Sequence, residues 1–257
     1  MTDTVRFATK GAVGVITLDR PPVNAISSEV VADLDSILDD AQNDAVRAVV
    51  VTGGRHFAAG ADIKEFKAAL DAGDDPAAVG VELSRVLVRL ERLAKPVIAA
   101  VRGSAMGGGL ELALACDFRF FADDARCGQP EIVLGLFPGA GGTQRLPRLI
   151  GLGAARDLIY SGRHVLAEEA QTLGIADEVH PADHVLDAAM TAAARYAAGP
   201  TTALGLAKQA INDGVGSPMD EGLGMEAAGF SQVFGTQDAV EGVSAFLDKR
   251  DPDFTGS

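Results

Sequence analysis

An α/β fold is the class this sequence predicts, and three observations predict it. Short runs of β-branched and other apolar residues alternate with longer stretches of helical periodicity through the first two thirds of the chain. From about Ala182 onwards the strand signals stop and four helical stretches follow. Hydrophobic residues make up 47% of the 257 residues, ample for a buried core and too many for a disordered chain.

The elements follow in order. Val5 to Ala8 and Val13 to Leu18 form a hairpin turned around Lys10-Gly11. Arg20-Pro21-Pro22-Val23-Asn24-Ala25 is a rigid loop, after which Ser27 or Ser28 caps a helix running to about Asn43, with Glu29 in its first turn. Ala48 to Thr52 is a short buried strand ending at Gly53-Gly54. A helix follows from about Ile63 to Leu70, then a loose stretch, Asp71 to Pro76. Val81 to Leu93 has helical periodicity, and Pro96 to Val101 reads as another buried strand. Next come a helix over 108–116, strand-like Asp117 to Ala122, and helices between 141 and 172. Leu186 to Ala198, Thr201 to Asn212, Met219 to Phe234 and Thr236 to Leu247 complete the helical end. A helical tail after an α/β core often packs on its neighbours in an oligomer. We divide the chain into a core over 1–195 and a helical oligomerisation region over 196–257.

Several functions are excluded or disfavoured at once. No apolar run approaches the roughly 18 residues of a membrane span, and Met1-Thr2-Asp3-Thr4 leads directly into strand-like sequence, so a soluble cytoplasmic protein is expected. Two cysteines, Cys116 and Cys127, with no CxxC pattern, argue against a disulfide framework or structural zinc site. A formal charge of −14 opposes nucleic-acid binding, which needs a basic surface. An anionic small ligand stays open, through local cations and backbone N–H groups. The pattern G-x-S-x-G is missed because Arg102 takes the first glycine's place, and no P-loop, dinucleotide fingerprint or H-E-x-x-H occurs.

Two glutamates carry the chemistry. Glu111 and Glu131 each lie in an otherwise apolar stretch, just after a glycine- or proline-marked turn. A carboxylate in apolar surroundings raises its own pKa, and two facing one cavity make a general acid and a general base. Each alone could merely stabilise a helix N-terminus, by roughly 0.3–1 kcal/mol. Together they stand beside two turns that could hold an oxyanion: Ala58-Ala59-Gly60-Ala61-Asp62, opening a helix, and Gly107-Gly108-Gly109, opening another. The bland alternative for the first is an ordinary strand-to-helix turn capped by Asp62. A third glycine-rich turn, Phe137 to Gly142, offers N–H groups that could orient a nearby carboxylate.

Read together, these segments resemble the crotonase (enoyl-CoA hydratase/isomerase) superfamily over essentially the whole chain. The resemblance rests on Ala58 to Lys64, Lys95 to Val101, Gly107-Gly108-Gly109-Leu110-Glu111-Leu112-Ala113 and Gly128-Gln129-Pro130-Glu131. It implies a spiral of ββα units with a C-terminal helical region that drives formation of a homotrimer or a dimer of trimers. It implies hydration of trans-2-enoyl-CoA, with the N–H groups of Ala61 and Gly108 as oxyanion hole, Glu111 deprotonating the attacking water and Glu131 protonating C2. Gly139 then matches a glycine whose N–H supports Glu131, with Gln129 behind that carboxylate. CoA contacts are implied for Asn24, Ala25, Ala59, Ile63, Lys64, Phe246 and Lys249, the last two often across a subunit boundary. No metal or redox cofactor is implied; coenzyme A is part of the substrate, and neither nucleic acid nor membrane is a partner.

The same site would serve isomerisation of 3-enoyl-CoA to 2-enoyl-CoA or another acyl-CoA reaction of the superfamily. Ser104 stands where many hydratases have an aromatic residue, and Asp71 to Gly80 is short and acidic, so chain-length preference is open.

Overall fold

The computed structural model describes residues 4–257; Met1-Thr2-Asp3, read above as the lead into the first strand, lie outside the described residues. The expected hairpin is β1 (Val5–Lys10) and β2 (Val13–Leu18), antiparallel. Helix α1 (Ser28–Ala41) begins where the Ser27 hydroxyl accepts the Val30 N–H, and stops two residues short of the expected end. Strands β3 (Ala48–Thr52) and β4 (Val97–Val101) are buried along their whole length. Both faces are covered, which is why they read as unbroken apolar runs rather than as alternation. Between them lie α2 (Ile63–Ala72) and α3 (Ala78–Glu91).

The spiral is built from strand pairs whose members go to different sheets. After β4 the chain adds β5 (Ser104–Met106), then α4 (Gly108–Leu114). Strand β6 (Phe118–Ala122) is followed by β7 (Arg126–Gly128), a 3-10 turn (Pro130–Leu134), α5 (Gly142–Ile150) and α6 (Leu152–Ser161). The last round gives β8 (Val165–Leu166), α7 (Ala167–Leu173) and β9 (Glu178–His180). Strands β4 and β6, the first of their pairs, and β9, the second of the last round, join a six-stranded sheet of order β1-β2-β3-β4-β6-β9, parallel except for β1 against β2. The short strands β5, β7 and β8 form a separate three-stranded sheet in that order. Strands β5, β7, β8 and β9 were not anticipated; two or three residues are too few to show a period of two.

Helix α8 (Val185–Ala197) packs across β2, β3, β4 and β6 through Val185, Ala189, Ala193 and Ala197, a four-residue stripe of mostly small side chains. After Gly199-Pro200 come α9 (Thr201–Gly214), α10 (Met219–Val233) and α11 (Gln237–Asp248). Helix α9 is pressed on the core so closely that a Cβ at Gly205 would lie 2.5 Å from the Ala94 carbonyl. Lys208 of α9 donates to Asp117 Oδ2 at 2.8 Å in a largely buried pair. Among the described residues no helix is long and apolar enough to cross a membrane.

Candidate active site

The site forms where the chain leaves the C-terminal ends of β3 and β4, the usual place for ligands in parallel α/β sheets. The loop after β3 is held from inside by Asn24. Its side chain, buried and at φ +53, donates to the carbonyls of Gly53 (2.7 Å), His56 (2.7 Å) and Phe57 (3.2 Å), while its oxygen accepts the Arg20 N–H at 2.9 Å. Asn24 therefore braces the loop; with its amide spent on backbone, only the neighbouring main chain is left to meet a ligand. Arg20 reaches on to Asp62 at 2.6 Å and holds that carboxyl below its usual range. Asp62 caps α2 by accepting the Lys64 N–H at 3.0 Å.

The two glycine-containing turns pack backbone on backbone. Ala58 bridges to Ala105 of β5, its N–H donating to the Ser104 carbonyl at 2.9 Å and its carbonyl accepting the Met106 N–H at 3.0 Å. A Cβ at Gly109 would lie 2.2 Å from the Ala58 carbonyl oxygen, so no side chain fits there. On the other side Ile26 bridges to Ala61, its N–H donating to the Gly60 carbonyl at 2.7 Å and its carbonyl accepting the Asp62 N–H at 2.8 Å. The two turns meet where a Cβ at Gly107 would lie 3.8 Å from Gly60 Cα; Ala61 precedes the Asp62 cap of α2, Gly108 opens α4, and neither N–H finds an acceptor among the described residues.

The two glutamates flank this backbone. Gly107, at φ +49, leaves room for Glu131: a Cβ there would be 2.8 Å from Glu131 Oε1. The Cβ position of the next residue, Gly108, lies 4.0 Å from Glu111 Oε2, between Leu83 Cδ2 and Ile26 Cδ1. Glu111 is 2% exposed. Its Oε1 accepts the N–H groups of Ala140 and Gly142, each at 2.7 Å, which leaves Oε2 free. Burial pushes the Glu111 pKa up, opposed by those two N–H groups and by the Arg145 guanidinium. Glu131, on the 3-10 turn, is pushed up to about 7 by burial, with the charge of Glu111 adding to the push. The side-chain amide of the fully buried Gln129 lies against Glu131; assigned with its nitrogen on that side, it stands 3.0 and 3.2 Å from the two carboxylate oxygens.

One expected pairing is corrected. The turn at Phe137 to Gly142 does orient a carboxylate, but through Ala140 and Gly142, and the carboxylate is Glu111 rather than Glu131. Gly139 itself is exposed, with open space where its Cβ would be. The resemblance implied Gly139 for Glu131, but the fold carries Glu111, 29 and 31 residues away in sequence, to the N–H groups of Ala140 and Gly142. Ala25, Ala59, Ile63 and Lys64 do lie beside the site on the loop and first turn of α2. Phe246 and Lys249 sit at the end of α11, and among the described residues no side-chain hydrogen bond or ion pair joins them to the site.

This fold is that of the crotonase family, and the two carboxylates lie in it beside two N–H groups without acceptors among the described residues. The family model for enoyl-CoA hydratase/isomerase matches residues 8–257, and the chain belongs to that family. A short-chain-enoyl-CoA hydratase of Clostridium acetobutylicum is 40% identical, over 94% of this chain and 93% of its own. A crotonyl-CoA hydratase of Syntrophomonas wolfei is 38% identical, over 94% of each chain. The crystal structure of enoyl-CoA hydratase from Bacillus anthracis superposes with a TM-score of 0.92 at 38% identity, covering 99% of this chain and 100% of that one.

Proposed function

We propose that this chain hydrates trans-2-enoyl-CoA to 3-hydroxyacyl-CoA by syn addition of water. The observation that supports it most is the division of labour between two raised carboxyls on either side of Gly107-Gly108. Glu111 has two N–H donors and a nearby guanidinium favouring its ionised form, so it is the base. Glu131, near 7 and beside another carboxylate, keeps its proton and is the acid.

In this reading the thioester carbonyl accepts the Ala61 and Gly108 N–H groups, and the negative charge that develops there is stabilised at two helix N-termini. A water on the free Oε2 of Glu111 attacks C3 and gives that oxygen its proton. The carbanion at C2 takes the proton of Glu131. Glu111 ends protonated and Glu131 ionised, and one proton passing back restores the starting state. The chemistry is acid–base throughout and asks for no metal or redox group. Isomerisation would need one carboxylate only; the dedicated clamp on Glu111 favours a reaction that uses both.

The CoA moiety lies along the main chain of Ala25 and Ala59 and past Ile63, with Lys64 near its phosphates; Phe246 and Lys249 reach it from a partner in a homotrimer or dimer of trimers. Two buried, unpaired cysteines accord with a cytoplasmic setting. The test is the loss of conjugated thioester absorbance on adding crotonyl-CoA. Glu111→Gln and Glu131→Gln should each lower turnover by roughly 10²- to 10⁴-fold. Undiminished turnover in both variants would sink the proposal.

A further inference from the structure

The turn that holds Glu111 is itself held, by a side chain of α5. Arg145, on α5 and only 13% exposed, spreads its guanidinium over three contacts. Its Nε and Nη2 donate to Glu91 Oε2 at 3.2 and 2.7 Å, and its Nη1 donates to the Ala140 carbonyl at 3.0 Å. A Cβ at Gly141, which is at φ +111, would lie 2.1 Å from Nη1, so glycine there is what lets the guanidinium cross the turn. Ala140 is thus fixed at both ends, its carbonyl by Arg145 and its N–H by Glu111. Glu91 is anchored in turn: it ends α3, and its own carbonyl accepts from Asn212 of α9 at 3.3 Å.

We propose that Arg145, clamped by Glu91, is a positioning residue for Glu111, setting the 140–142 turn so that both N–H groups meet Oε1 and Oε2 stays free for water. The proposal rests on the reading of Glu111 as the base. A planar fork suits the task, since it grips a carboxylate and a carbonyl at once; an ammonium cannot do so in the same geometry. Arg145 also acts through its charge. The charged groups around Glu111 are Glu131 on the 3-10 turn and Arg145 on α5, with Glu91 of α3 behind Arg145 and the Asp117–Lys208 pair beyond the end of α4. Of these Arg145 alone is close enough to favour the Glu111 carboxylate appreciably.

A merely structural ion pair and a positioning pair are separated by pH profiles of crotonyl-CoA hydration in the full-length protein, with Tm and CoA binding measured alongside. For Arg145→Gln, kcat should fall roughly 10- to 100-fold while KM changes little, and the acid limb of the profile should move to higher pH, because a cation favouring the carboxylate is gone. Arg145→Lys should keep the limb where it is and recover part of kcat. Glu91→Gln should lower kcat without an upward move of the limb, since it loosens the clamp while removing a negative charge. Wild-type kcat and limb in Arg145→Gln would overturn the proposal. So would a loss of rate that follows Tm or CoA affinity in all three variants with the limb unmoved. If Arg145→Gln does not fold, the kcat of the other two still decides: a fall without loss of Tm or CoA affinity supports the proposal, and a fall that follows either overturns it. A fully active Glu111→Gln would remove the reading underneath, whereas an inactive one beside unaffected Arg145 variants would sink the positioning role alone.

Discussion

Three consecutive glycines do three different jobs, and single alanines should tell them apart. At Gly109 the added carbon would meet the Ala58 carbonyl at 2.2 Å, backbone against backbone inside the core, with nothing able to yield. Gly109→Ala should therefore give little folded protein, checked by soluble yield and thermal denaturation. At Gly108 the neighbours are side-chain methyls of Leu83 and Ile26, at 3.2 and 3.4 Å, which can shift by tenths of an ångström. Gly108→Ala should fold with a Tm near that of the parent and lose most turnover, because its methyl group stands in the space in front of Glu111 Oε2. Gly107→Ala should fall between, strained at φ +49 and pressing on Glu131. The raised pKa of Glu131 makes a further prediction. A donor with its pKa near 7 is protonated below that value, so kcat/KM for hydration should fall as pH rises through about 7; the acid limb below it belongs to Glu111, whose ionised form is required. Replacing Glu131 by Gln should abolish the alkaline limb along with the rate.

Among the elements, the joint between core and helical region turns on a buried pair. Asp117 follows α4 and also accepts the Val97 N–H at 2.7 Å, so Lys208 of α9 and the start of β4 share one carboxylate, whose pKa burial raises. Lys208→Met would leave that carboxylate buried without its cation, at a cost of about 3 kcal/mol, the lower end for breaking such a pair because Asp117 is still one-fifth exposed. Denaturant unfolding of both proteins measures the difference, and equal midpoints would show that the joint is held by packing alone. Nothing in the residues around Lys208 announces this partner, 91 positions away. The same holds for Arg145 and Glu91, 54 apart. What the sequence did make legible is what repeats locally: the buried runs of β3 and β4, the Ser27 and Asp62 caps, and the four late helices, each placed to within two residues. Glu111 and Glu131 were legible because a carboxylate in an apolar stretch is locally anomalous. Asn24 was not read as a brace, nor the Ala140 and Gly142 N–H groups as the clamp on Glu111, since both roles are defined by folds of the chain that bring distant backbone to them.

On the scale of the whole molecule, the surface conflicts with a solitary existence. Leu223 and Phe230 on α10, Phe234 at its C-cap, and Val240, Val243, Phe246 and Leu247 on α11 are all more than half exposed, with Phe246 at 83%. Phe230 and Phe234 stack edge to face at 5.1 Å without burying either ring. So many large apolar side chains on one helical region suit the subunit contact of the proposed assembly. Against this stands a net charge of −14, which makes copies repel at long range. Association must then come from short-range apolar burial, and screening the charge should strengthen it, since the Debye length falls from about 30 Å at 0.01 M salt to about 8 Å at 0.15 M. Sedimentation velocity should show a trimer or its multiple at physiological salt, shifting towards smaller species as salt is lowered. Phe230→Glu adds charge to the apolar surface and should dissociate the assembly at salt concentrations the parent withstands, with a Tm that becomes lower and dependent on protein concentration. If α11 completes the CoA site of a neighbour, the same variant should raise KM for crotonyl-CoA more than it lowers kcat. A parent chain that sediments as a monomer at all salt concentrations would refute the assembly, and Lys249 and Phe246 would then have no route to the substrate from a partner.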